Sequence, residues 1–124
     1  MQYLAIMIGG ALGALFRFLV SSFVNKYSGL EFPAGTLVVN VIGSFVLVFF
    51  TVITLEKLSI DPLWRMFFAV GFLGAFTTFS TFSYETIALM QDGEYLKSIM
   101  NILLNNGLSI AAGIGGLILA KSLS

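Results

Sequence analysis

Four apolar stretches, each long enough to cross a lipid bilayer as a helix, dominate this sequence. A membrane-spanning helix needs about 20 apolar residues, because each residue rises about 1.5 Å against a hydrocarbon core about 30 Å thick. The stretches cover residues 3–24, 33–55, 62–90 and 98–120. We therefore predict an all-α membrane protein in which residues 1–124 form a single four-helix transmembrane domain.

The composition agrees with lipid as the solvent and excludes several classes of protein. Hydrophobic residues make up 58% of the chain and charged residues 10%, whereas soluble domains average about 25% charged residues. Six basic residues balance six acidic ones, so no basic face suggests a nucleic-acid partner. The chain contains neither Cys nor His, which removes disulfides, thiolate metal sites and the commonest general base. We expect neither an enzyme nor a nucleic-acid-binding protein.

The connections between the stretches are short, at residues 25–32, 56–61 and 91–97. Short connections make each helix antiparallel to the next, so both termini should lie on one side of the membrane. Pro33 and Pro62 are expected at the first position of their helices, where a missing amide hydrogen has no cost. The first charge, Arg17, lies inside the first apolar stretch, which favours a retained span over a signal peptide.

The positive charges near the ends of the stretches do not select one orientation by the positive-inside rule. The side with the termini carries Lys57, Arg65 and Lys121, and the opposite side carries Lys26 and Lys97, with Arg17 if it reaches that interface. Either a weak charge or the lipid decides the orientation, or the chain inserts both ways and pairs as an antiparallel dimer. We favour the second interpretation.

Small residues recur one turn apart on three of the stretches, a spacing that favours close helix packing in lipid. The pairs are Gly9 with Gly13, Gly71 with Ala75, and Gly113 with Gly116. We interpret most of these glycines as packing residues. Arg17 continues the face of Gly9 and Gly13, and we expect it to be a structural anchor that snorkels or pairs.

Two stretches carry polar side chains at every fourth position, which places them on one helix face. The second has Thr36, Asn40 and Ser44, and the fourth has Asn101, Asn105 and Ser109. Either stripe can join helices by hydrogen bonds or line an aqueous path. The sequence alone leaves these two interpretations open.

The third stretch is the most unusual, because five hydroxyl residues surround Phe79 and Phe82 shortly after Gly74. The hydroxyl residues are Thr77, Thr78, Ser80, Thr81 and Ser83. Hydroxyls can bond to carbonyls one turn earlier and bend a helix, but their crowding near a glycine favours a local break. A break at membrane depth is tolerated only in protein or beside water, where freed carbonyls could hold a cation.

Phe79 and Phe82 are three residues apart and can present their ring edges to one space. A ring edge is the positive part of the aromatic quadrupole, so ring edges, hydroxyls and the Asn40 amide could meet an anion weakly, as conduction requires. The plainer alternative is that the rings fill the core. Glu85 is the only acidic residue deep in a stretch, and it is either functional or within reach of the interface.

These residues resemble the Fluc (CrcB) family of fluoride channels across the whole chain. The motifs are Gly-Gly-Ala-Leu-Gly-Ala-Leu-Phe-Arg-Phe at 9–18, Gly-Thr-Leu-Val-Val-Asn-Val-Ile-Gly-Ser-Phe at 35–45, and Gly-Phe-Leu-Gly-Ala-Phe-Thr-Thr-Phe-Ser-Thr-Phe at 71–82. The resemblance implies an antiparallel, dual-topology homodimer with two pores in the cell (inner) membrane. It also implies passive, selective export of fluoride from the cytoplasm, which reduces fluoride toxicity.

The resemblance also implies roles for individual residues. Asn40, Phe79 and Phe82 match residues that line the fluoride pathway. Gly74 and Thr77 match positions whose backbone carbonyls hold a structural sodium ion at the dimer interface. Weaker matches to the pathway are Thr36, Ser80, Glu85 and Ser109, and the fourth stretch departs most from the family pattern.

The main alternative is a small multidrug or cation–proton antiporter, which is also built from four short helices in antiparallel pairs. Such a transporter needs a carboxylate in its first span for proton exchange, and this first span offers only Arg17. A membrane scaffold without transport activity would explain the small residues but not the cluster of hydroxyls and Phe rings.

Overall fold

Four helical spans make up the chain in a computed structural model that describes residues 1–123. They are Gln2–Ser28, Ala34–Glu56, Pro62–Gln91 and Tyr95–Leu123, and each is long and apolar enough to cross a membrane. Within residues 1–123 there is no strand. The predicted all-α membrane architecture is therefore confirmed, although the first and last helices are longer than the apolar pattern indicated. Their ends extend through polar residues that belong at the membrane surface.

The third span is irregular in two places. It begins as an α-helix at Pro62–Arg65, widens to a π-helix at Met66–Leu73, and returns to α-helix at Gly74–Phe76. The two residues that follow, Thr77 and Thr78, are extended, with φ −83°, ψ 156° and φ −151°, ψ 118°. A second helical segment then runs over Phe79–Gln91. The predicted break is present, and it divides this span near its middle.

The two prolines stand at different positions relative to their helices. Pro62 is the first helical residue, as expected, and the Asp61 side chain caps this helix by accepting a hydrogen bond from the Leu63 amide at 2.9 Å. Pro33 precedes its helix, with a non-helical ψ of 68°, so the prediction for Pro33 was wrong by one residue. The second helix takes its cap from the first, because Asn25 Oδ1 accepts the Gly35 amide at 2.8 Å.

The first helix packs against the third span through glycines. A Cβ atom on Gly9 would collide with the carbonyl oxygen of Phe67, and one on Gly13 would collide with that of Phe72. On the other side of the molecule, a Cβ atom on Gly116 would meet the Phe45 carbonyl oxygen at 2.5 Å. The predicted packing role of these glycines is confirmed, and backbone-to-backbone approach of this kind is how helices associate in lipid.

Contacts between charged groups show which ends of the helices lie together. Lys121 contacts the Glu56 carboxylate, and Lys57 donates to the Leu123 carbonyl oxygen. At the opposite end, Lys97 lies 3.6 Å from the carboxylate of Glu31. These pairs agree with antiparallel neighbours, and they leave positive charges at both ends of the bundle.

Candidate functional site: a cavity beside the broken third helix

The break in the third span is held by one side chain of the second helix. Asn40 Oδ1 accepts a hydrogen bond from the Thr78 amide at 2.8 Å, and Asn40 Nδ2 donates to the Thr78 carbonyl oxygen at 3.1 Å. Since the Thr78 amide precedes the helix and has no helical acceptor, Asn40 supplies that acceptor and adds a donor to the Thr78 carbonyl. The Asn40 amide is thus a clamp on the break.

Thr78 also starts the helical segment that follows the break. Its hydroxyl oxygen accepts from the Thr81 amide at 3.2 Å and donates to the Thr81 hydroxyl at 3.0 Å. This is the N-cap arrangement that satisfies orphan amides at a helix start. The crowding of hydroxyls in the sequence therefore has a local cause, because this helix must begin inside the membrane.

The second helix approaches the break closely at a glycine. A Cβ atom on Gly43 would collide with the Thr77 methyl group and lie 3.2 Å from the Phe76 ring. The Thr77 hydroxyl turns away and donates to the Leu73 carbonyl oxygen at 3.2 Å. Gly43 is therefore needed for Asn40, one turn earlier, to reach Thr78.

A cavity of about 210 Å³ lies beside the break, between the second, third and fourth spans. No charged residue lines it; the lining residues are Asn40, Ser44, Thr77, Thr78, Phe79, Phe82, Asn105, Asn106, Ser109 and Ile110. The hydroxyl oxygen of Ser109 is buried and has no hydrogen-bond partner within residues 1–123. The cavity thus combines uncharged amide and hydroxyl groups with two aromatic rings.

The two rings of the cavity meet edge to face. The centroids of Phe79 and Phe82 are 5.2 Å apart, and the ring planes are inclined at 64°. Phe82 is buried, whereas 72% of Phe79 is exposed in a single chain. The two rings do share one space, as the spacing predicted, but one of them faces out of the chain.

The other predicted pathway residues lie outside this cavity. Thr36 donates to Glu85 Oε2 at 3.0 Å, and the second carboxylate oxygen of Glu85 is buried without a partner within residues 1–123. Thr36 and Arg17 line a second cavity of about 230 Å³, Glu85 lines a third of about 270 Å³, and Ser80 is exposed. The structure therefore divides the predicted pathway residues among several spaces along the third span.

The two predicted cation ligands flank the break. Gly74 is helical and exposed, and Thr77 is the first extended residue. The Thr77 amide donates to the Leu73 carbonyl oxygen at 3.2 Å, and the Thr78 amide donates to Asn40 Oδ1 at 2.8 Å. Backbone that leaves the helix in this way is compatible with a cation, as the sequence suggested.

The fourth helix contributes more to the site than the sequence indicated. Asn105 Oδ1 accepts from Asn40 Nδ2 at 3.0 Å, and Asn101 is fully buried behind it. The polar cavity residues that sequence reasoning did not select are Ser44, Thr78, Asn105 and Asn106, together with Asn101 behind Asn105. For most of them a signal was present, since they belong to the polar stripes or to the hydroxyl cluster.

Comparison with known proteins gives one family and many close relatives. The family described as "CrcB-like protein, Camphor Resistance (CrcB)" matches residues 4–117. A fluoride-specific ion channel FluC of Sulfurihydrogenibium sp. (strain YO3AOP1) is 49% identical over 122 residues, which cover 98% of each chain. Proteins of the same name from Koribacter versatilis (strain Ellin345) and Legionella pneumophila (strain Lens) are 43% and 44% identical. The matches cover 98% and 96% of this chain and 97% and 89% of theirs.

Proposed function

The chain belongs to the CrcB-like protein family, and from this membership we propose that it is a fluoride-specific ion channel. It is a multi-pass membrane protein with four spans and not an enzyme. The relatives with the name fluoride-specific ion channel FluC match almost the full chain at 43–49% identity. The proposed function of this channel is passive export of fluoride across the cell (inner) membrane, which reduces fluoride toxicity in the cytoplasm.

The observation that carries this proposal is the uncharged cavity beside the break. An anion there meets the Ser109 hydroxyl, which has a free donor, and the edge-to-face pair Phe79 and Phe82. Hydroxyl hydrogens and ring edges are partial positive charges. They attract fluoride without the full charge that would hold it too tightly to leave, and conduction requires this balance.

The test is anion efflux from proteoliposomes loaded with potassium fluoride or with potassium chloride. Valinomycin lets potassium leave with the anion, and an ion-selective electrode measures the anion released. We expect rapid fluoride loss and no chloride loss above that of protein-free vesicles. If fluoride stayed inside while a proton gradient drove uptake of a lipophilic cation, the chain would be an antiporter and the proposal would be wrong.

A second copy of the chain is part of the proposal, since one chain leaves the break uncovered. Gly74, Phe79 and Ser80 are all exposed at the middle of the third span. Irregular backbone at membrane depth must be covered by protein or lie beside water, because lipid satisfies no hydrogen bonds. A homodimer with these surfaces facing each other would cover the break and complete the pathways along both third spans.

We propose further that the two copies insert in opposite orientations. The support is the near-equal number of positive charges at the two ends of the bundle, since orientation follows Lys and Arg near the membrane. The chain has no Cys, so a single introduced thiol, Asp92→Cys, reports orientation directly. An impermeant maleimide applied outside intact cells should label about half of the protein. Labelling of all or none would contradict dual topology.

Sodium is the proposed structural cofactor of the dimer. The carbonyl oxygens of Gly74 and Thr77 would hold it, because backbone carbonyls at unwound membrane helices are typical sodium ligands. An ion bound there would attract these carbonyl oxygens from both chains and so hold the two breaks together. Replacing sodium with N-methyl-D-glucamine should lower the fraction of dimer in size-exclusion chromatography in detergent. An unchanged dimer fraction in the absence of sodium would contradict this assignment.

A further inference from the structure

A chain of hydrogen bonds connects the cavity to Thr86, a residue outside it. The Thr86 hydroxyl donates its hydrogen to the Phe82 carbonyl oxygen at 2.9 Å, one turn earlier in the same helix. Its oxygen can then only accept, and Asn101 Nδ2 donates to it at 2.9 Å. Thr86 is 5% exposed and Asn101 fully buried, so water does not compete for these bonds.

The chain continues through two more amides to the break. Asn105 Nδ2 donates to Asn101 Oδ1 at 2.9 Å and to the Asn101 carbonyl oxygen at 3.0 Å. Asn105 Oδ1 accepts from Asn40 Nδ2 at 3.0 Å. Asn40 Oδ1 ends the chain by accepting the Thr78 amide at 2.8 Å. Every link runs in the same direction, from a nitrogen of one amide to an oxygen of the next.

The two ends of this chain determine which way each amide points. The Thr78 amide can only donate, so Asn40 must turn its oxygen to it; the Thr86 hydroxyl has given its hydrogen away, so Asn101 must turn its nitrogen to it. Reversal of any one of the three amides would bring two nitrogens or two oxygens face to face. The orientation of Asn40 is therefore fixed from both sides.

This orientation matters because Asn40 and Asn105 both line the cavity. Both hydrogens of Asn40 Nδ2 are in use, one on the Thr78 carbonyl and one on Asn105 Oδ1. An anion can replace Asn105 Oδ1 as the acceptor of one Asn40 N–H group. The second N–H group bonds the Thr78 carbonyl and belongs to the clamp on the break. A reversed Asn40 would present its oxygen on this side and repel an anion.

We propose that Thr86 and Asn101 are positioning residues for the anion pathway, which act through Asn105 to hold the Asn40 amide with its N–H toward Asn105. This inference rests on the proposed fluoride channel function. Thr86 is not among the residues that line the cavity beside the break; it lines another cavity with Phe82, Ser83, Ile87 and Ile102. Its effect on the ion is therefore indirect.

The test compares Thr86→Val with Thr86→Ser in the proteoliposome assay, with flux expressed per folded channel after size-exclusion chromatography. Valine keeps the shape and removes the hydroxyl, whereas serine keeps the acceptor for Asn101. We expect Thr86→Val to lower fluoride efflux about tenfold, the factor that corresponds to 1.4 kcal/mol. Thr86→Ser should restore efflux to within about twofold of the natural chain.

Thr54→Val is the matched control. Thr54 is 6% exposed and, like Thr86, donates to the carbonyl one turn earlier, that of Phe50 at 2.7 Å. It lies outside the chain of amides and outside the cavity, so its flux per folded channel should be unchanged.

A double substitution separates positioning from simple packing. Asn105→Leu breaks the chain between Thr86 and Asn40, so Thr86→Val should cause no further loss of flux in that background. Two additive losses would show that Thr86 acts independently of the chain and would overturn the inference, as would equal flux in Thr86→Val and Thr86→Ser. A natural chain that passed no fluoride would instead overturn the proposed function, and the inference with it.

Discussion

Replacing Asn40 with leucine tests whether this amide holds the break together. Leucine has a similar size but forms no hydrogen bonds, so two groups lose their partner, the Thr78 amide and Asn105 Oδ1. The Thr78 carbonyl loses one donor but, as an N-cap carbonyl, still accepts within its own helix. Thr78 and Asn105 are 8% and 4% exposed, and water cannot easily replace what is lost. Each buried polar group left unpaired costs about 1–3 kcal/mol.

At the low end of that range, the loss of these two partners lowers the free energy of unfolding by about 2 kcal/mol. The matched control is Asn106→Leu. Asn106 lines the same cavity but is exposed, and its amide donates only to the Ile102 carbonyl in its own helix. We expect the control to change stability by no more than about 0.5 kcal/mol.

The assay is an unfolding titration with sodium dodecyl sulfate in mixed micelles. The fluorescence of the single tryptophan, Trp64, reports the transition, since its ring packs edge-on against Phe67 at 5.9 Å. We expect Asn40→Leu to unfold at a clearly lower detergent fraction than Asn106→Leu. Equal midpoints for the two variants would refute the clamp, because both remove one amide at the same cavity.

Two further predictions concern the rings and the glycine beside the break. Phe79→Ile and Phe82→Ile should both reduce fluoride efflux from proteoliposomes. Only Phe82→Ile should also lower stability in the detergent titration, since of these two rings only Phe82 is buried. Undiminished efflux in both variants would show that the rings serve only as packing. Gly43→Ala should cost about 1–3 kcal/mol by pushing on Thr77, whereas Gly107→Ala, with open space around it, should be neutral or stabilising in the same titration.

The helical architecture could be predicted from the sequence because lipid leaves few alternatives. Four apolar stretches of sufficient length had to be spans, and the break was indicated by its hydroxyl crowding. The π-helix at Met66–Leu73 was not predicted, since that stretch is uniformly apolar and carries no periodic pattern. The position of Pro33 was missed because its helix is capped by Asn25 of another helix, a tertiary contact that local rules do not contain.

The sequence predicted which residues belong to the site better than it predicted the hydrogen bonds between them. The spacing of Asn40 with its neighbours placed it on a polar face but could not show that its amide is bound to the Thr78 backbone. The stripe of Asn101 and Asn105 was equally visible, yet its partner Thr86 lies on another span. Contacts between helices depend on rotation and register, which a single sequence does not encode locally.

A bilayer recording tests directly whether the chain conducts fluoride passively. With fluoride on one side of a planar bilayer, chloride on the other and the same pH on both, a fluoride-selective channel gives current that reverses far from zero, toward the equilibrium potential of fluoride. We expect that reversal, with current that persists when the pH gradient is varied. A reversal near zero voltage would show equal passage of the two anions, and transport that required a proton gradient would show an antiporter. Either result would contradict passive, selective conduction of fluoride by this chain.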